Sequence, residues 1–210
     1  MKKFLSATLA AAMLFVPANS FAAQILPDNL TVMQALSQRK TSRNFVDRDL
    51  SEAQLLKILW AANGINRPDG KRVNPAAMGV YSVEVYAVTR KGIYLYDEVA
   101  NKLKPIAKGD YRMTTTTGQA FVGQAAVNLV FVETPDAWSN AKHTPPPRDR
   151  QISQANIMVG AMTQSVALAA DTEGLGNCVR GSINREEFRR VAKLDADKTI
   201  LLAQSVGFIK

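Results

Sequence analysis

Four residues near the start of the chain combine positive charge with a hydroxyl group. Arg39, Lys40, Thr41 and Arg43 place three cations and one hydroxyl within five residues. Guanidinium groups bind phosphate oxygens in pairs, a lysine adds a point charge, and a hydroxyl donates a further hydrogen bond. The pattern indicates a phosphate-binding turn, and the alternative interpretation of the same residues is an ordinary solvated charged turn.

The composition argues against several other kinds of site. The sequence holds one cysteine, Cys178, and one histidine, His143, so an intrachain disulfide and a conventional zinc site lack the residues they need. We expect Cys178 to be a small buried hydrophobic residue and His143 to be exposed. The net charge of +8 arises from 26 Lys and Arg against 18 Asp and Glu, which are scattered, so it indicates nucleic-acid binding only weakly.

The length and composition are typical of one soluble globular domain, since the chain has 210 residues of which 47% are hydrophobic.

The start of the chain has the pattern of a secretory signal peptide. Two lysines precede a short apolar run that ends at Pro17, and a small-x-small cleavage site ends at Ala22. We expect residues 1–22 to be removed and residues 23–210 to form a periplasmic or secreted domain. The alternative is an uncleaved membrane anchor.

Capping residues and apolar spacing predict the helices that position the basic cluster. Thr31 is expected to cap a short helix with Val32, Ala35 and Leu36 facing inward, so that the cluster lies at the helix exit. A capping box at Ser51 begins a second helix. The second helix is expected to end at Gly64, its C′ residue. The same signals predict a long helix from about Ile152 to Glu173, ended by Gly174, and a last helix that starts at Asn184.

β-Branched and aromatic runs predict the strands. They are Val80 to Val88, Ile93 to Tyr96 after a turn at Arg90-Lys91-Gly92, Ala126 to Val132, and Ile200 to Phe208. A proline-rich stretch before the long helix is expected to be an exposed, partly extended loop. Hairpin strands combined with long helices indicate an α+β domain, with helices packed on a central mixed or antiparallel sheet.

The order of several motifs resembles the nitroreductase family of flavoproteins, in its shorter dehydrogenase-like branch. The basic cluster continues into Asn44-Phe45, and the second helix ends in Trp60-Ala-Ala-Asn-Gly64. The other matching positions are Arg72, Pro75, Ala76, Ala77, Gly79 and Tyr81, then Gly118-Gln119-Ala120-Phe121-Val122, then Gly160, Gln164, Leu168, Ala169, Ala170, Gly174, Leu175 and Gly176. The match extends from about Thr31 to Gly207, and the ordered set is more specific than any one motif.

The resemblance implies an FMN-binding homodimer that holds the flavin between its subunits. Arg39, Lys40, Thr41 and Arg43 would bind the phosphate and the ribityl chain. The other implied cofactor-binding residues are Pro75, Ala76, Ala77, Met78 and Gly79, which border the flavin from the other subunit, Gly181 and Ser182 near its reactive edge, and Gln119 as a polar contact to the ring.

The implied activity is an FMN-dependent oxidoreductase that transfers electrons or hydride to or from a small planar or conjugated molecule, such as a nitroaromatic compound or a quinone. The flavin carries the redox chemistry, so no catalytic side chain is expected. A substrate slot is expected between Met78, Phe121 and the Gly181-Ser182 backbone. NAD(P)H is the usual electron donor of the family.

Two departures from the family pattern leave a second function open. Ala76 stands where the family often has serine, which removes a hydrogen bond to the flavin. The sequence also ends at Lys210, where many members continue into a tail with another basic phosphate contact. The alternative is therefore a non-catalytic flavin-binding or ligand-binding module of the same fold.

Overall fold

The computed structural model describes residues 30–142 and 144–210. The predicted signal peptide and His143 lie outside the described residues. The helices are α1 (Val32–Gln38), α2 (Glu52–Asn63), α3 (Arg148–Thr172) and α4 (Arg185–Ala192), and the strands are β1 (Val83–Thr89), β2 (Gly92–Asp97), β3 (Lys102–Lys108), β4 (Val127–Glu133), β5 (Leu175–Arg180) and β6 (Thr199–Phe208). Within these residues, no helix is long and apolar enough to cross a bilayer.

The six strands form one sheet in the order β3-β2-β1-β4-β6-β5, and every pair is antiparallel. The α+β prediction is confirmed, and the sheet is antiparallel rather than mixed. Helices α2 and α3 cover one face through residues such as Leu59 and Met162, while Phe188 of α4 packs on the other face. Strand β4 is buried along its whole length because it is covered on both sides.

The predicted helix starts at Thr31, Ser51 and Asn184 are confirmed, since each of these side chains accepts a hydrogen bond from a backbone N–H of the first turn. Gly64 ends α2 for a different reason than expected. Its backbone is extended, with φ −71° and ψ 154°, so no left-handed turn requires glycine. A Cβ atom at Gly64 would lie 2.2 Å from Cδ1 of Trp60, so glycine is needed for this close approach.

Helix α3 begins at Arg148, one turn earlier than predicted, directly after the extended Pro147. The start is fixed by an ion pair, because the Arg148 guanidinium donates to both carboxylate oxygens of the fully buried Glu133 at the end of β4. Gly174 follows the helix with φ +66°, in the left-handed region that favours glycine. The predicted end of the helix is therefore confirmed.

One expectation about an individual element is wrong, and one strand had no prediction. Val32 and Leu36 do not face inward, since they are 67% and 44% exposed and only Ala35 of α1 is buried. Strand β3 was not predicted, because alternating lysines and Pro105 obscure its apolar residues. Lysine and proline are common on edge strands, where they oppose pairing with another chain.

Candidate functional site

The basic cluster lies at the exit of α1 and along the sheet edge formed by β5. The segment is fixed by backbone hydrogen bonds, from Ser42 N–H to the Asn177 carbonyl at 2.8 Å and from Val46 N–H to the Phe208 carbonyl at 2.8 Å. Thr41 is paired with Asn177 in an isolated parallel bridge. The side chains of Arg39, Lys40, Thr41 and Arg43 are all exposed, so the cluster is available to a ligand.

The segment approaches the sheet closely because Gly176 has no side chain. A Cβ atom there would lie 2.7 Å from Cβ of Ser42 and 2.2 Å from Cγ2 of Ile209. Real Cβ atoms do not approach other atoms so closely, so a larger residue would displace the segment. The Gly174-Leu175-Gly176 motif therefore serves two purposes, ending α3 and giving space to the basic cluster.

One acidic residue that the sequence analysis did not single out lies near the cluster. Asp171, in the last turn of α3, interacts electrostatically with Arg39 and Lys40, and one of its carboxylate oxygens is buried with no hydrogen-bond partner among the described residues. Burial raises the pKa of Asp171, an effect that the two cations oppose. Spacing could not identify it, because it is more than 100 residues from the cluster.

The loop of Gly181 and Ser182 lies at the other end of β5. The Gly181 carbonyl accepts a hydrogen bond from Nη1 of Arg185 at 3.4 Å, and the Ser182 carbonyl accepts one from Nη1 of Arg180 at 3.3 Å. In a trans peptide the C=O and the following N–H point in opposite directions. The N–H of Ser182 is therefore directed away from Arg185. Gly181 itself is exposed.

Arg180 anchors this loop from within the protein. It is only 4% exposed, and it donates to the Thr115 carbonyl at 2.7 Å, to Oδ1 of Asn128 at 3.1 Å and to Oγ of Ser205 at 3.0 Å. Burial lowers its pKa to about 10, so it remains charged at neutral pH. The sequence signal for this anchor is an arginine directly before the predicted flavin-edge loop, and Arg180 was not among the predicted site residues.

Gln119 is brought to the same end of the site by a long-range contact. The hydroxyl groups of Thr117 and Ser182 are hydrogen bonded across 65 residues of sequence. Gln119 follows in the same segment, and its N–H donates to Oγ1 of Thr116 at 3.1 Å. Its Oε1 atom is buried without a hydrogen-bond partner among the described residues, which leaves an acceptor for a ligand.

Phe121, a predicted wall of the slot, lies just beyond Gln119. Its ring packs against the buried Phe45, with 6.1 Å between the centroids. Phe45 belongs to the same segment as the basic cluster. The contact therefore connects the segment that follows Gln119 to the one that carries Arg43.

The turn of Pro75 to Gly79 is a strained and exposed part of the molecule. Met78 has φ 56°, an uncommon conformation for a residue other than glycine, and its side chain is 46% exposed. Buried Asn74 anchors the turn, because its Nδ2 donates at 2.8 Å to the carbonyls at the end of α2 and its Oδ1 accepts from Ser165 of α3 at 2.6 Å. Strain held by such anchors is common at functional sites.

Of the four predicted groups, the structure brings two to one strand and places the segment of Gln119 beside them through Thr117. The basic cluster and the Gly181-Ser182 loop both contact β5 or directly follow it. No hydrogen bond among the described residues joins the turn of Pro75 to Gly79 to either of them. A cavity of about 460 Å³ lies elsewhere, at the β2-β3 edge, and is lined by residues such as Tyr94 and Ile106.

The described part of the chain holds neither an exposed cysteine nor a metal-binding cluster. Cys178 is buried, at 2% exposure, as predicted for a small hydrophobic residue. No group of three or more His, Cys, Asp or Glu in residues 30–142 and 144–210 could hold a metal ion.

The motif order and the fold can be compared with known proteins. The family model described as the nitroreductase family matches residues 36–208. The chain belongs to the nitroreductase family. A candidate nitroreductase of Methanocaldococcus jannaschii is 25% identical over 188 residues, which covers 84% of this chain and 92% of that protein.

Solved structures of nitroreductase-family proteins have the same architecture. A candidate nitroreductase from Ralstonia eutropha JMP134 superposes with a TM-score of 0.79 at 32% identity, covering 89% of this chain and 88% of that one. A candidate nitroreductase from Desulfovibrio desulfuricans, solved in complex with FMN, has a TM-score of 0.61 at 19% identity and covers 86% of this chain and 87% of that one. At that identity the second comparison supports the fold alone.

Proposed function

We propose that this nitroreductase-family protein is an FMN-dependent oxidoreductase. The observation that carries the proposal is the placement of a cationic cluster and a polar loop along one edge strand. Thr41 lies beside Asn177, and Gly181 follows four residues later, so the two ends are about 13 Å apart at ~3.3 Å per strand residue. A phosphate, an extended sugar-alcohol chain and a flat ring can span such a path.

The residues at each end suit the corresponding part of FMN. Arg39, Lys40, Thr41 and Arg43 are exposed donors for the phosphate and the ribityl chain. At the other end, Gln119 has a buried acceptor without a partner, and Gly181 and Ser182 have their carbonyls fixed by arginines. When bound, FMN would supply the electron transfer, while the protein supplies position and electrostatics.

We further propose that the site is completed by a second subunit. The turn of Pro75, Ala76, Ala77, Met78 and Gly79 is exposed or half-buried and is not hydrogen bonded to the other two groups within the chain. Val32 and Met33 of α1 and Ile157 of α3 are between 67% and 73% exposed. Large exposed apolar side chains on packed elements are typical of interfaces, so we assign them to a twofold dimer.

The proposed substrate is a small planar or conjugated molecule, such as a quinone or a nitroaromatic compound. It would enter between Met78, Phe121 and the backbone of Gly181 and Ser182, which are mostly apolar and suit a flat molecule. NAD(P)H is the proposed electron donor. We assign the protein to the dehydrogenase-like branch and, from its first 22 residues, to the periplasm or the secreted fraction.

The test uses the purified chain without its first 22 residues, reconstituted with FMN. Dithionite-reduced protein is mixed anaerobically with a quinone or a nitroaromatic compound, and flavin absorbance is followed. Reoxidation faster than that of free FMN supports the oxidoreductase. A protein that binds FMN but is reoxidised no faster than free flavin supports the alternative, a non-catalytic binding module, which Ala76 favours because alanine cannot donate a hydrogen bond to the flavin.

A further inference from the structure

Two arginine side chains are buried to the same extent but differ in their partners. Arg112 is 5% exposed and pairs with Asp110 at 2.7 Å and with Asp47 at 2.9 Å. Arg180 is 4% exposed, and in the part of the chain that the structure describes it forms no ion pair. All of its N–H groups with assigned partners donate to neutral oxygens, on Thr115, Asn128, Ser182 and Ser205.

A buried charge without a counter-charge is costly, and hydrogen bonds to neutral groups reduce the cost without cancelling the charge. Fixing a loop does not require a charge, since a neutral donor could bind the same carbonyl oxygens. The positive charge of Arg180 therefore favours negative charge on a nearby ligand. The accessible surface beside it is the Gly181-Ser182 loop, because Gly181 is exposed and the Ser182 carbonyl is 3.3 Å from Nη1.

We infer that the uncompensated charge of Arg180 makes this site bind reduced flavin more tightly than oxidised flavin. The inference rests on the proposed function. Uptake of two electrons from dithionite, which is oxidised to sulfite, and of one proton from water gives a flavin with one more negative charge than the oxidised form. Arg180 would stabilise that charge without touching the phosphate cluster. In this role Arg180 acts through its charge, from behind the loop that it also holds.

The experiment compares the wild-type protein with Arg180→Gln, which removes the charge but keeps a side-chain donor. Affinity for oxidised FMN is measured by quenching of flavin fluorescence, and the two-electron midpoint potential by titration with dithionite and reference dyes. We expect the preference for reduced over oxidised FMN to fall at least tenfold, which corresponds to a drop of about 30 mV in potential. Arg112→Gln is the matched control, since it removes the same charge from an equally buried arginine that donates to Asp47, Asp110 and the Ala125 carbonyl rather than to the Gly181-Ser182 loop, and it should leave the preference unchanged.

A second variant keeps Arg180 in place. Asn128→Asp puts a carboxylate where the amide oxygen accepts from Arg180 at 3.1 Å and from Ser205 at 2.6 Å, so it compensates the charge and keeps those two hydrogen bonds. It gives up only the bond from Nδ2 of Asn128 to the Val122 carbonyl. We expect it to lower the midpoint potential in the same direction as Arg180→Gln. This variant tests the charge even if Arg180→Gln does not fold.

The results separate three cases. A lower potential in Arg180→Gln or Asn128→Asp, with Arg112→Gln unchanged, supports the inference. An equal loss of affinity for both flavin forms, with an unchanged potential in the folded variants, shows that Arg180 only holds the loop and overturns the inference alone. A wild-type protein that binds neither form of FMN overturns the proposed function as well.

Discussion

The two ends of strand β5 present positive charge in opposite ways. Near one end Arg39, Lys40 and Arg43 are exposed on the segment that pairs with the edge strand at Asn177. At the other end Arg180 is buried and holds a loop from behind. Exposed cations can bind an anion directly and are screened by salt, whereas a buried cation acts over a distance and is screened little. The comparison predicts that the cations at the first end bind an anionic ligand by direct contact, and that Arg180 at the second end favours the ligand form with more negative charge.

The difference also affects how each end tolerates mutation. An exposed arginine can be replaced without leaving buried groups unsatisfied. Removal of Arg180 leaves the Thr115 carbonyl and Oγ of Ser205 without the donor that Arg180 supplies, whereas Oδ1 of Asn128 still accepts from Ser205. Unsatisfied buried polar groups cost about 1–3 kcal/mol each. Variants at the first end should therefore affect binding alone, and variants of Arg180 should also lower stability.

The largest expected effect comes from removing the exposed cations. Arg39→Ala combined with Arg43→Ala should weaken FMN binding by at least ~100-fold, because each charge-assisted hydrogen bond contributes about 1.5–3 kcal/mol. Riboflavin lacks the phosphate, so its affinity should change less than threefold. Calorimetric titration with both ligands measures the two effects.

The control for this pair removes the same charge from the opposite sheet edge. Lys102 and Lys108 are exposed on β3, and their double replacement by alanine should leave FMN affinity within threefold of wild type. Equal losses in the two double variants would indicate a general charge effect rather than a phosphate site. Equal wild-type affinity for FMN and riboflavin would contradict the assignment outright.

Filling the loop end should separate turnover from binding. Ser182→Leu places a bulky side chain at the proposed slot, so turnover with a quinone should fall at least ~10-fold. The affinity for FMN should stay within ~5-fold, since the proposed phosphate contacts lie at the other end of β5. Stopped-flow reoxidation of the reduced protein provides the rate.

Ser182→Ala provides the comparison for that variant, because it removes the same hydrogen bond to Thr117 without filling space. It should retain most of the turnover. Similar losses in the two variants would assign the effect to the lost hydrogen bond, and the slot would then lie elsewhere.

Disruption of the proposed dimer should weaken FMN binding at both ends of β5 together. Ile157→Glu puts a charge on a side chain that is 73% exposed in one chain and is proposed to be buried between two. Light scattering should change from twice the mass of one chain to the mass of one, and FMN affinity should fall ~10-fold or more. Val99→Glu, at a 68% exposed position next to β2, should change neither quantity. A wild-type protein that is monomeric with FMN bound would exclude a shared site.

The smallest effect is expected at Asp171. Burial raises the pKa of its carboxyl, so the folded protein binds this proton more tightly than the unfolded chain does. The stability of the fold therefore falls as pH rises from the ordinary pKa of an aspartate through the raised pKa of the folded state. Asp171→Asn should therefore raise the melting temperature slightly at pH 7.5. It should also tighten FMN binding about 2- to 5-fold, because one negative charge near Arg39 and Lys40 is removed. Weaker binding in the variant would show that Asp171 orients the cations instead.

Local sequence patterns predicted the features that depend on near neighbours. The N-cap at Thr31 and the capping box at Ser51 were predictable because both partners of each hydrogen bond lie within one helical turn. The antiparallel hairpin of β1 and β2 followed from a turn between two β-branched runs. Strand β3 was not predicted because its lysines face solvent at a sheet edge. Its composition reflects protection of that edge rather than burial.

The sequence by itself determined the family, the class of fold and the presence of a basic cluster, since these depend on residue order and short spacing. Only the tertiary structure decided that Thr117 and Ser182 meet across 65 residues, that Asp171 lies near Arg39, and that Arg180 is buried with no carboxylate partner among residues 30–142 and 144–210. The physical reason is that helix caps and turns are closed by local geometry, whereas burial and charge compensation depend on which distant segments the sheet register brings together.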